Sequence, residues 1–104
     1  EVVLRDREML SDNGIIVISA TLSKETKKII AGPEILTRGF IYVKDSTEII
    51  AQIKEICTEV ILANVHENYV DYGKIKGSIR DSLSKYLNEQ TGNKPMIISV
   101  LQEI

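Results

Sequence analysis

The sequence predicts an α+β sandwich, a three-stranded mixed β-sheet with two α-helices packed on one face, in the order ββααβ. Three observations predict it. Three short runs are dense in β-branched residues, two longer stretches carry apolar residues at steps of three and four, and turn-forming clusters separate them. The 104 residues, 43% hydrophobic and 27% charged, support one domain with one core in the ordinary globular range.

In chain order, Ser11-Asp12-Asn13-Gly14 is a turn cluster, and residues 15–22, IIVISATL, are the first strand. The polar segment 23–28 predicts a hairpin into a second strand that resumes at Ile29. Gly32-Pro33 interrupts that strand and Gly39 interrupts it again. A bulge or irregular edge is expected there, with the best-ordered part over residues 35–43. Asp45-Ser46-Thr47-Glu48 supplies an N-cap with a carboxylate three residues on. Ile49, Ile53, Ile56, Cys57, Val60 and Ile61 then form the apolar stripe of the first helix. After the polar linker His66-Glu67-Asn68, the stripe of the second helix is Tyr72, Ile75, Ile79, Leu83, Tyr86 and Leu87. Gly77 inside it costs about 1 kcal/mol relative to Ala and implies close packing or compensation by the buried stripe. Thr91-Gly92-Asn93 ends that helix, and Pro95 opens the last strand, residues 96–101, MIISVL.

Strand alternation puts Ile15 and Val17 on one side of the sheet and Ile16, Ile18, Ala20 and Leu22 on the other. Both sides are partly apolar, and two helices cover only one. The second side is therefore expected to be covered by another chain or by a preceding domain, with Ile15, Val17, Phe40 and Tyr42 as the contact surface.

Several functions are disfavoured by the residues themselves. Thirteen Lys and Arg against fifteen Asp and Glu give a net charge of -2, so no domain-wide positive field attracts nucleic acid or anionic membrane. The longest uninterrupted apolar run, residues 15–18, is far short of a membrane span, so a soluble chain is expected. A start at Glu1 rather than Met is expected of a piece of a longer protein. One cysteine, Cys57, excludes an internal disulfide, and one histidine, His66, leaves no ligand cluster for zinc; a reducing cytoplasm fits best. Cys57 lies on an apolar helix stripe and is read as core, while His66 is read as a solvated helix-end residue. The carboxylate pairs Glu8 with Asp12 and Glu48 with Glu55 have no distinguishing surroundings, so no catalytic or metal residue is assigned. Gly73-Lys74-Ile75-Lys76-Gly77 matches neither a G-x-x-G nor a Walker phosphate loop. Lys74, Lys76, Arg80 and Lys85 are the weaker candidates for RNA contact, on a helix surface of mixed sign.

Four segments in order carry a family resemblance: Val3-Leu4-Arg5-Asp6-Arg7, Asp12-Asn13-Gly14-Ile15-Ile16-Val17, Ala31-Gly32-Pro33, and Thr37-Arg38-Gly39-Phe40-Ile41-Tyr42-Val43. With Ile79-Arg80-Asp81-Ser82-Leu83, Tyr86-Leu87 and Lys94-Pro95-Met96-Ile97-Ile98, the chain resembles the C-terminal domain of ribonuclease J across essentially its whole length. The resemblance implies that residues 1–13 end a connector from a catalytic region and residues 14–104 form the C-terminal domain. It implies a bacterial, cytoplasmic, metal-dependent 5′-to-3′ exonuclease and endonuclease of messenger decay and ribosomal RNA maturation. In that family a metallo-β-lactamase domain joined to a β-CASP domain carries the chemistry and two zinc ions. None of those motifs lies in this chain, so no cofactor is implied for it. The implied role is support of oligomerisation and of full nuclease activity. The implied partners are the rest of the ribonuclease J chain, further subunits in a homo- or hetero-oligomer, and RNA through the whole enzyme, with no membrane. The alternative is an accessory RNA-binding domain that guides substrate to the nuclease.

Overall fold

A computed structural model describes residues 14–39 and 46–104. The expected connector 1–13 lies outside the described residues. Five elements follow in the predicted order: β1 (Ile15–Leu22), β2 (Ile29–Arg38), α1 (Ser46–Ala63), α2 (Tyr72–Thr91) and β3 (Met96–Glu103).

The sheet order is β2-β1-β3, with β1 antiparallel to β2 and parallel to β3, so the sheet is mixed as expected. The most continuous β-branched run takes the centre, where both of its edges are paired. A tight hairpin joins β1 to β2: Ser23 N–H donates to the Lys28 carbonyl at 2.9 Å and Lys27 N–H to the Ser23 carbonyl at 2.8 Å, with Lys27 at φ 59°. The parallel return to β3 needs a long crossover, and both helices are spent on it.

The second strand starts where the sequence places it. It begins at Ile29 and runs through the cis Gly32–Pro33 bond to Arg38. The interruption is local: the register with β1 shifts between Ser19 and Thr21 and again between Thr21 and Leu22, the expected bulge, and pairing resumes on either side. Gly32 has φ +85°, and a Cβ there would lie 2.5 Å from the Ser19 carbonyl oxygen, so only glycine fits this crossing. The well-ordered stretch expected at 35–43 is described only to Gly39, and residues 40–43 lie outside the described residues, as does the expected cap Asp45.

Both helices lie on one face, α1 toward β2 and α2 toward β3. Their stripes meet the even-numbered side of β1. Ile16, Ile18, Ala20 and Leu22 are buried beneath Ile49, Ile53, Cys57 and Ile61 of α1 and Ile75, Ile79, Leu83 and Leu87 of α2. Every buried helix residue thus recurs at a step of four, with Ile56, Val60, Tyr72 and Tyr86 half-buried at the margins. Truncating one of these isoleucines or leucines to Ala costs about 2–5 kcal/mol.

The inter-helix turn is more structured than a polar linker. Val65 bridges Val70, His66 N–H donates to the Tyr69 carbonyl, and the His66 and Tyr69 rings stack with centroids 4.6 Å apart. Asn64, a buried polar residue absent from the predicted core, bonds the Val60 carbonyl through Nδ2 at 2.9 Å and accepts the Asp71 N–H at its own carbonyl. Asp71 then caps α2, its Oδ1 accepting the Lys74 N–H, and Gly92 ends α2 in the left-handed region at φ 75°.

Candidate functional site

Register and alternation together define what the helices leave uncovered. On β1 the outward residues are Ile15, Val17, Ser19 and Thr21. Their partners on β2 are Arg38, Leu36, Glu34 and Ala31, and on β3 Met96, Ile98, Val100 and Gln102. Six of these, Ile15, Val17, Leu36, Met96, Ile98 and Val100, form one continuous aliphatic patch. Ile15 and Val17 are half-buried because they are central, while Leu36 is 56% exposed and Met96, Ile98 and Val100 are 38%, 39% and 41% exposed. Arg38, Glu34, Gln102 and Thr21 bound the patch, and Thr21 and Gln102 meet at 3.5 Å. A contiguous aliphatic surface with a polar rim is the anatomy of a protein–protein contact.

The sequence-predicted surface is thus part of this face for Ile15 and Val17, while Phe40 and Tyr42 lie outside the described residues. Four members were missed: Leu36, Met96, Ile98 and Val100. The alternation along residues 34–38 and 96–101 carried the signal. Knowing which side of β2 and β3 matches the odd residues of β1 required the register.

The candidates for RNA contact, Lys74, Lys76, Arg80 and Lys85, are all exposed on α2. They occupy two stripes: Lys76 and Arg80 flank the buried face, and Lys74 and Lys85 lie opposite it with Asp81 between them. Arg80 is drawn to Asp81, Nε to Oδ1 at 3.7 Å, with both side chains largely in solvent.

Cys57 is fully buried, and that burial pushes its thiol up to about 12, so no thiolate nucleophile exists near neutral pH. Glu48 and Glu55 are exposed on α1, and Glu8 and Asp12 lie outside the described residues. The Tyr72 hydroxyl donates to Glu103 Oε2 at 2.9 Å, tying the start of α2 to the end of β3. Desolvation, then that hydrogen bond and the carboxylate charge, raise its pKa. Among the described residues no group of three or more His, Cys, Asp or Glu side chains is placed to hold a metal ion. Among the same residues no helix is long and apolar enough to cross a membrane.

Comparison with known proteins bears out the family resemblance. The family model described as the ribonuclease J C-terminal domain matches residues 2–104. Ribonuclease J2 of Bacillus subtilis (strain 168) is 40% identical over 103 residues, covering 99% of this chain and 19% of that protein. Ribonuclease J 2 of Staphylococcus aureus (strain NCTC 8325 / PS 47) is 41% identical over 103 residues, covering 99% of this chain and 18% of that protein. The chain spans about a fifth of the length of the curated relatives it matches.

Proposed function

The chain belongs to the ribonuclease J C-terminal domain family, and we propose that it is the assembly module of a ribonuclease J polypeptide, holding subunits together without carrying the catalytic site. The observation that carries this reading is the open aliphatic sheet face of Ile15, Val17, Leu36, Met96, Ile98 and Val100. Exposing such a face costs roughly 25 cal/mol per Å² relative to burying it, and another ribonuclease J surface recovers that energy. On this reading, RNA cleavage in messenger decay and ribosomal RNA maturation, exonucleolytic from the 5′ end and endonucleolytic, belongs to the remainder of a bacterial, cytoplasmic polypeptide. Any zinc is held there. The chain acts on nuclease activity through assembly.

The alternative, direct guidance of RNA, has less support because the α2 cations are split between two stripes and interleaved with Asp81. Sedimentation velocity over a wide concentration range separates the two. Self-association that Val17→Glu or Leu36→Glu weakens supports assembly. A strict monomer whose RNA affinity falls steeply with salt supports RNA guidance and overturns the assembly reading.

A further inference from the structure

The sheet has two edges of unequal character. The β2 edge is irregular: its register slips twice and Pro33 lacks an N–H. The β3 edge is regular. Its eight residues pair with β1 without a slip, and no proline or charged side chain interrupts residues 96–102. Met96 N–H donates to the Gly14 carbonyl at 2.9 Å and Ile104 N–H to the Leu22 carbonyl at 3.1 Å. Alternation between these two bonds turns the N–H groups of Ile97, Ser99 and Leu101 away from β1. Among the described residues no strand pairs with them. A long, regular, largely apolar edge of this kind is a template for another extended strand.

We propose that this strand is a second copy's β3, added antiparallel about a two-fold axis at Ser99, so that two sheets become one of six strands. The proposal rests on the assembly reading above and names the seam. A second copy fits this edge because β3 is complementary to itself in this register. Ile97 meets the second copy's Leu101 on the helix side, and Ile98 meets the second copy's Val100 on the open side. Ser99 meets its own mate, and Met96 meets the second copy's Gln102. Aliphatic groups pair at 97 with 101 on the helix side and at 98 with 100 on the open side, and the outward N–H and C=O of Ile97, Ser99 and Leu101 are satisfied reciprocally. Because the axis stands perpendicular to the sheet, both open faces lie on one side. The aliphatic surface offered to the rest of the assembly doubles in width.

The test uses the intact chain, alone and within its ribonuclease J polypeptide. Ile98 and Val100 of the two copies form a non-hydrogen-bonded pair with Cα atoms about 4.5 Å apart, within disulfide reach. A mixture of Ile98→Cys and Val100→Cys chains is expected to cross-link on mild oxidation at least tenfold more than either variant alone. Cys57, being buried, does not compete. Ser99→Pro removes an outward N–H while sparing the β1 ladder, and is expected to weaken self-association at least tenfold with an unchanged circular dichroism spectrum. Ser99→Ala leaves self-association intact. Equal cross-linking of the mixture and the single variants overturns the seam, and this readout decides if Ser99→Pro fails to fold. Association lost in Leu36→Glu but kept in a folded Ser99→Pro chain also overturns it while leaving the assembly reading standing. A strict monomer overturns both.

Discussion

Gly32 and Cys57 show how single residues carry constraints of opposite kinds. At Gly32 the backbone is left-handed and pressed against the Ser19 carbonyl, and both partners are main chain with little room to yield. Gly32→Ala is expected to lower folding stability by about 3 kcal/mol in urea unfolding, combining the strain of a positive φ with the displacement of β1. Cys57 is constrained by what surrounds it. Its thiol is raised from 9.0 to about 12 by desolvation, so folding favours the protonated form. The stability this contributes is complete below pH 9 and is lost as the pH rises toward 12. Unfolding midpoints are expected to fall above pH 9, and Cys57→Ala to remove part of that fall. The remainder includes Tyr72 and Tyr86, whose raised values act in the same direction. A core role for Cys57 was legible from its place on the α1 stripe. The buried Asn64 was not, because its side chain bonds a carbonyl four residues back and its own backbone carbonyl accepts the Asp71 N–H only once the inter-helix turn has formed.

At the scale of elements, α2 is the clearest case of local signals agreeing, since cap, stripe and stop all lie in the sequence. Asp71→Ala removes the side-chain acceptor at its start and is expected to cost about 1 kcal/mol by thermal or urea unfolding. Of the two explanations for Gly77, close packing or compensation by the buried stripe, the structure favours the second. A Cβ at that position meets nothing within 4 Å, so the residue carries the helix-propensity penalty without a packing return. Gly77→Ala is expected to stabilise the chain by about 1 kcal/mol in the same measurement. The β2 strand was harder to read. A Gly-Pro pair is a turn signal in isolation, and pairing with β1 on both sides carries the strand through it.

Across the whole molecule, the division of the sheet into a covered and an open side governs behaviour. The covered side holds the fold together and the open side contributes little to it. Leu36→Lys is therefore expected to change the stability of the monomer by no more than about 0.5 kcal/mol. Association couples folding to concentration, so the melting temperature of the native chain is expected to rise with its concentration, and that of Leu36→Lys, which keeps the β3 edge but not the full aliphatic face, is expected to rise less. Calorimetry at several concentrations checks both expectations.

The sequence by itself determined the element order, the helix stripes, the hairpin and the side of β1 that enters the core. These follow from periodicities of two and 3.6 and from turn chemistry, which act between residues close in the chain. It also placed Ile15 and Val17 on the side that the helices leave open. Only the tertiary structure decided that β1 is central, that β3 returns parallel to it, and that Leu36, Met96, Ile98 and Val100 complete one aliphatic surface. Strand order and register depend on hydrogen bonds between segments up to 81 residues apart, and no local pattern specifies which distant strand will accept them.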